Sequence, residues 1–241
     1  AFSSTDQASD SRQRFPPDSD LWFARLNSWL DENLEPQQTC RWYVSSVRTD
    51  ACRRLSQFVA MRPSDVFCPI HFSHVPLAVG VDEPQRLGID RLLAAMAASR
   101  EVQTRPLLVI QAGSAVTVDI VELHGGLDCF AGGAILPGIP MMLRLLGRGA
   151  DMLPELDAED LTRLPELPGK NTEQAMLCGT ASCLAGGVQH LVNRFRELHG
   201  SQTPVVVSGG DGVRLLPNIS PPVHVLPDLV LRGILQVAKL S

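Results

Sequence analysis

Three short apolar runs follow one another with only a few residues between them: LLVIQ (107–111), AVTVDIVE (115–122) and the stretch around Cys129–Ile135. The gaps at Ala112-Gly113 and His124–Gly126 carry turn-forming residues, so these runs form an antiparallel meander and not segments of helix. A meander has two faces to cover, and the chain after it supplies helices. Helical patterns near Pro140–Leu146 and Thr172–Leu198 precede a strand PVVVS (204–208), a Gly-Gly turn, a short helix, a strand at Val223–Val225 and a last helix from Asp228. The second half therefore reads βββαβαβα.

Upstream the rhythm is different. Residues 1–20 are polar and lack apolar periodicity, which predicts an exposed lead-in. A helix is expected from about Asp20 to Leu34, with Leu21, Phe23, Leu26, Trp29 and Leu30 on one face, then a buried strand at Trp42–Val47. A helix near Asp50–Met61, a strand at Val66–Ile70 and, after VDEP (81–84), a helix over Gln85–Ser99 complete an α/β half. The expected boundary lies near residue 105, giving an N-terminal half 1–105 and a C-terminal half 106–241.

Composition removes several classes of function. The formal net charge is -5 and no Lys/Arg stripe is present, so nucleic acid is not an expected partner. No run approaches about 18 apolar residues, and no basic segment leads into an apolar one, so neither a membrane partner nor secretion is expected. The six cysteines show no C-x-x-C spacing and several lie in apolar runs, which fits thiols in a reducing, cytoplasmic setting. His71 and His74 lack a third ligand nearby in sequence, so no metal site is expected, and SGGDG does not make a G-x-S-x-G nucleophile turn.

Chemistry concentrates in five segments where small residues meet a strand end or a helix start, places where backbone N–H groups can reach an anion. In GIDR (88–91), a carboxylate stands beside a guanidinium: Asp90 can take a hydroxyl proton while Arg91 pairs with a substrate carboxylate. In QAGSAVTVD (111–119), Gly113 and Ser114 expose amides and a hydroxyl at a hairpin tip suited to terminal phosphates. GGAILPGIPMM (132–142), where Gly132 and Gly133 allow close backbone approach, turns through Pro137-Gly138 into a helix, and KNTEQAM (170–176) opens the long helix, with Asn171 or Thr172 as N-cap. SGGDG (208–212), with Gly209 and Gly210, closes a buried strand where such turns contact nucleotides. Each segment alone also reads as ordinary turn or cap chemistry.

Taken in order and followed by PDLVLRGI (227–234), the five resemble the motif series of type III pantothenate kinases, over residues 41–241. The resemblance implies two ribonuclease-H-like halves of the actin, sugar kinase and Hsp70 superfamily with ATP in the cleft between them, and a homodimer formed through the second half. It implies transfer of the ATP γ-phosphoryl group to pantothenate, the first step towards coenzyme A, with Mg2+ and a potassium or ammonium ion. On this resemblance Asp90 is the general base, Gly88, Ile89, Asp90 and Arg91 contact pantothenate, and Thr172 reaches the substrate of a partner subunit. Gly113, Ser114, Gly209 and Gly210 would contact ATP.

The sequence departs from that family at three places. The opening D-x-G-N-T phosphate hairpin is not found in residues 1–40, so either it precedes residue 1 or this homologue has lost the clamp. Gln111 stands where the family has a cation-binding aspartate, and offers a neutral oxygen in place of a charge. Val81 lies near the usual place of an aromatic substrate contact. Two rival expectations follow: a non-catalytic or regulatory member that binds pantothenate or nucleotide without efficient turnover, and a phosphotransferase of the same superfamily with another acceptor.

Overall fold

The structure is a computed structural model; it describes residues 22–35, 38–156, 167–210, 212 and 219–240. The chain divides into two compact units, one of Ala1–His74 with Ile234–Ser241 and one of Val75–Gly233. The expected boundary near residue 105 falls inside the second of these.

In the first unit, helix α1 (Trp22–Asn33) places Leu26 and Leu30 against Phe58 and Val59 of α2 (Thr49–Ala60), with Trp22, Phe23, Trp29, Trp42 and Phe67 around them. Strands β1 (Arg41–Val44) and β2 (Val66–Pro69) pair in parallel, as the intervening helix α2 requires. Asp65 ties the unit together: its carboxylate accepts from Trp42 Nε1 at 2.8 Å, Arg62 Nε at 2.7 Å and the Cys40 amide at 3.0 Å. The strand expected to be buried at Trp42–Val47 is shorter and only half-buried, because a two-stranded sheet covers it on one edge alone.

The second unit is built on a six-stranded sheet. Strand β3 is Ala78–Val79, β4 Leu107–Ala112, β5 Ala115–His124, β6 Leu127–Pro137, β7 Val205–Ser208 and β8 Val223–Val225, in the order β3-β6-β5-β4-β7-β8. The meander β4-β5-β6 is antiparallel, whereas β7 and β8 run parallel to β4. The β5–β6 turn holds Gly125 and Gly126 at φ 60 and 82, conformations a hairpin turn of this kind demands and glycine adopts without strain.

Alternation divides the sheet into two faces. Leu108, Ile110, Ala112, Val116, Val118, Ile120, Val205 and Val207 pack on α4 (Ile139–Gly149) and α5 (Thr172–His199) through Leu143, Met176, Leu184, Val188 and Val192. The opposite face carries α3 (Ile89–Glu101), whose LLAAMA stretch is almost fully buried. Small residues let α3 lie close to its neighbours. A Cβ on Gly233, in the last helix α6 (Leu229–Ala238), would come within 2.5 Å of the Leu93 carbonyl oxygen.

The helix expected from Gln85 begins instead at Ile89, because Pro84–Arg86 forms a separate 3-10 turn and Gly88 is the N-cap. Two-residue β3 carries no period to recognise. The helix expected after the Gly-Gly turn and the polar lead-in at 1–20 lie outside the described residues, apart from residue 212.

Candidate active site

The start of α3 brings a carboxylate and a guanidinium to one point. Gly88 caps the helix with extended backbone, Asp90 sits in the first turn, and Asp90 Oδ1 accepts the Arg91 amide at 2.9 Å. A negative charge there also suits the unsatisfied amides of a helix start. A Cβ on Gly88 would lie 2.5 Å from Asp90 Oδ1, so glycine leaves the room the carboxylate occupies. Ile89 points into the core, which leaves only its backbone for a ligand.

Arg91 is held from beneath. Its Nε donates to both Asp119 oxygens, at 3.1 Å and 3.3 Å, and its Nη2 donates to Asp119 Oδ1 as well. The guanidinium carbon lies 5.3 Å from the centre of the Phe130 ring, a cation-over-ring arrangement. Asp119 is fully buried at 0% exposure in the middle of β5, and its second oxygen accepts the Thr117 hydroxyl at 3.0 Å. Burial pushes the Asp119 carboxyl above its ordinary range; Arg91 and Thr117 pull it back only in part, and the charge of Asp90 adds to the rise.

The space for that carboxylate comes from β6. A Cβ on Gly133 would fall 2.3 Å from Asp119 Oδ1 and 2.4 Å from the Val118 carbonyl oxygen. The close approach expected at Gly133 is present, whereas Asp119 and Thr117 carry no such expectation from the sequence. The signal was present, since T-x-D inside an otherwise apolar strand puts an acid on a face that alternation assigns to the interior.

A second cluster forms where β4, β6 and β7 end. The Gly113-Ser114 turn after β4 is bound by the Gly138 amide, which donates to the Ser114 carbonyl at 3.0 Å. A Cβ on Gly138 would sit 2.2 Å from the Gly113 carbonyl oxygen, and one on Gly209 only 2.1 Å from that of Ala112. Three turns therefore meet with backbone against backbone. Gly138 is also the N-cap of α4 and has no side chain to cap it, so the Ile139 and Met141 amides lack a side-chain cap, and Pro140 between them has no N–H. Gly209 and Gly210 are exposed at the end of β7, whereas Ser208 is buried and its hydroxyl accepts the Leu229 amide at 3.3 Å.

Among the described residues Thr172 makes no hydrogen bond to either cluster. Asn171, not Thr172, caps α5 by accepting the Gln174 amide at 2.8 Å, and Gln174 Oε1 in turn accepts the Lys170 amide. Thr172 is left exposed at the first helical position. Exposed Ala175, Gly179, Ser182, Cys183 and Gly186 continue from it along one side of α5, without a charge.

Gln111 is half-buried at the end of β4, opposite Thr117 on β5 and Ser208 on β7, so it shares the face of Asp119. Val81 lies beside Gly132, whose added Cβ would be 3.9 Å from it. His71 and His74 form a local turn in which His74 Nδ1 accepts the His71 amide. No two of the six cysteines are joined. Among the described residues no three His, Cys or acidic side chains converge on a metal position. Helix α5 is long and apolar enough to cross a membrane by length and composition, but its Met176, Leu184, Val188 and Val192 pack on the sheet as those of a core helix do.

A carboxylate and a clamped guanidinium stand at one helix start, and glycine turns gather at strand ends beside another, which makes these two places the candidate site. Comparison with known proteins names the family. The pattern of the type III pantothenate kinase family matches residues 3–194, and the chain belongs to that family. A type III pantothenate kinase of Rhodopirellula baltica is 42% identical over 139 residues, 57% of this chain and 48% of that protein. One from Alkalilimnicola ehrlichii is 35% identical over 225 residues, covering 91% of this chain and 86% of the relative. Against the Rhodopirellula protein, the chain spans about half the relative's length. The crystal structure of a Baf-family protein from Campylobacter jejuni, 20% identical, superposes with a TM-score of 0.52 over 89% of this chain and 87% of that one, which is a likeness of fold.

Proposed function

We propose that this protein phosphorylates pantothenate at the expense of ATP, giving 4'-phosphopantothenate in the first step of coenzyme A synthesis. The observation that carries the reading is the pairing of Asp90 and Arg91 on the first turn of α3, with Arg91 anchored and Asp90 half-buried. One Asp90 oxygen is occupied by the Arg91 amide; among the described residues the other has no hydrogen-bond donor and can take the proton of the acceptor hydroxyl. Arg91 holds the acceptor carboxylate, together with the Gly88 and Ile89 backbone. The turns at Gly113-Ser114 and Gly209-Gly210, with the uncapped start of α4, hold the phosphates. Such a site works mainly by positioning and by stabilising charge on the transferred group.

Magnesium enters as the ion carried on the nucleotide phosphates, where it needs only one or two protein carboxylates. The potassium or ammonium ion fits less well, because Gln111 presents a neutral oxygen where a carboxylate is expected. The order β6-β5-β4-β7-β8, antiparallel and then parallel, supports a ribonuclease-H-like C-terminal half. Two such halves, 1–105 and 106–241, with ATP in the cleft between them, belong to the same reading. So do a cytoplasmic location and a homodimer in which the uncharged stripe of α5 meets its symmetry mate. Thr172 lies at the head of that stripe, and on this reading it reaches a partner's substrate.

A non-catalytic member finds support in Gln111, but the Asp90 and Arg91 arrangement favours the enzyme. Asp90→Asn tests the reading: turnover should fall by about two to four orders of magnitude with ATP affinity within about threefold of wild type. Full activity in that variant removes Asp90 from the base role.

A further inference from the structure

The Arg91 guanidinium is divided in two by its surroundings. Nε and Nη2 are spent on Asp119, and among the described residues nothing accepts a hydrogen bond from Nη1. The Arg91 side chain keeps 15% of its surface exposed while that of Asp119 keeps 1%, so the pair is reached from the Arg91 side. Four groups fix this geometry. Asp119 supplies the anchoring charge, Thr117 holds its second oxygen, Gly133 leaves the volume its carboxylate fills, and the Phe130 ring faces the guanidinium carbon.

We propose that Asp119 is the positioning residue of the acceptor site, aiming the free edge of Arg91 at the carboxylate of the acid substrate, with Thr117 as its brace. The inference rests on the reading that Arg91 binds an acceptor carboxylate. A buried charge-assisted pair fixes both the direction and the rotamer of a long side chain, so less freedom is lost when the ligand binds. A carboxylate ligand then meets a preset donor. A ligand without that charge gains nothing from the arrangement, and this separates positioning from general support of the fold.

The test is calorimetric binding of two ligands to the full-length protein: pantothenate, and its neutral N-alkyl amide. Wild type should prefer pantothenate. Asp119→Asn should weaken pantothenate by about tenfold while leaving the amide unchanged, so that the preference collapses; Thr117→Val should reduce it by about two- to threefold. Equal weakening of both ligands in both variants, or an unchanged preference, overturns the proposal. If Asp119→Asn fails to fold, Thr117→Val decides by the same ratio. Arg91→Met separates the two levels of the argument. Loss of preference there, with preference kept in Asp119→Asn, overturns only the role of Asp119; preference kept in Arg91→Met overturns the reading of Arg91 beneath it.

Discussion

Gly209 approaches Ala112 so closely that a Cβ on it would stand 2.1 Å from the Ala112 carbonyl oxygen, and its φ of 96 is one that side chains other than glycine's rarely adopt. Backbone here cannot move aside as a flexible side chain would. Gly209→Ala is expected to cost about 2 to 4 kcal/mol of stability through clash and strain together. Nucleotide affinity should fall at the same time, since Ala112 leads directly into the Gly113-Ser114 turn. Urea unfolding and ATP calorimetry check both; a variant as stable as wild type contradicts the packing described.

Asp119 gives stability a pH dependence of defined sign. Its carboxyl is raised in the folded state, chiefly by burial, so the folded protein binds the proton more tightly than the unfolded chain does. Its contribution is complete below the unfolded carboxylate value and is lost as pH rises through the raised one. Asn at 119 does not titrate. The stability of Asp119→Asn relative to wild type should therefore improve across that rise, read as the difference in urea midpoints at a series of pH values. A gap that moves the other way would mean that Arg91 outweighs burial.

Much of the second unit was legible because its pattern is local. The meander runs, the α5 start at Thr172 and the strand Val223–Val225 match their expected positions closely, since alternation and turn residues decide them without help from distant contacts. Where tertiary contacts decide, the sequence was less informative. α3 starts at Ile89 because Pro84–Arg86 forms a separate 3-10 turn and Gly88 is the N-cap, and two-residue β3 is held only by its pairing with β6. The sequence presents the site as separate motifs, whereas Asp119, which anchors Arg91, lies within one of them at a strand position. Its partner Arg91 is 28 residues away in sequence, and only the fold joins them.

Gln111 predicts an unusual response to monovalent ions. A neutral amide oxygen should hold potassium weakly, so turnover should change by less than about twofold between potassium-free and potassium-containing buffer. Gln111→Asp restores a charge at the end of β4 and should introduce potassium stimulation of about fivefold or more. Initial rates in matched sodium, potassium and ammonium chloride decide this. Strong potassium dependence in the wild type would place the ion elsewhere.

The most direct measurement is a coupled assay of ADP release by the full-length protein with MgATP, run with and without pantothenate and repeated with Asp90→Asn. The account predicts ADP formation that requires pantothenate, yields phosphopantothenate in equal amount and disappears in the variant. Pantothenate binding without ADP formation in the wild type would contradict it and assign the protein to binding or regulation instead.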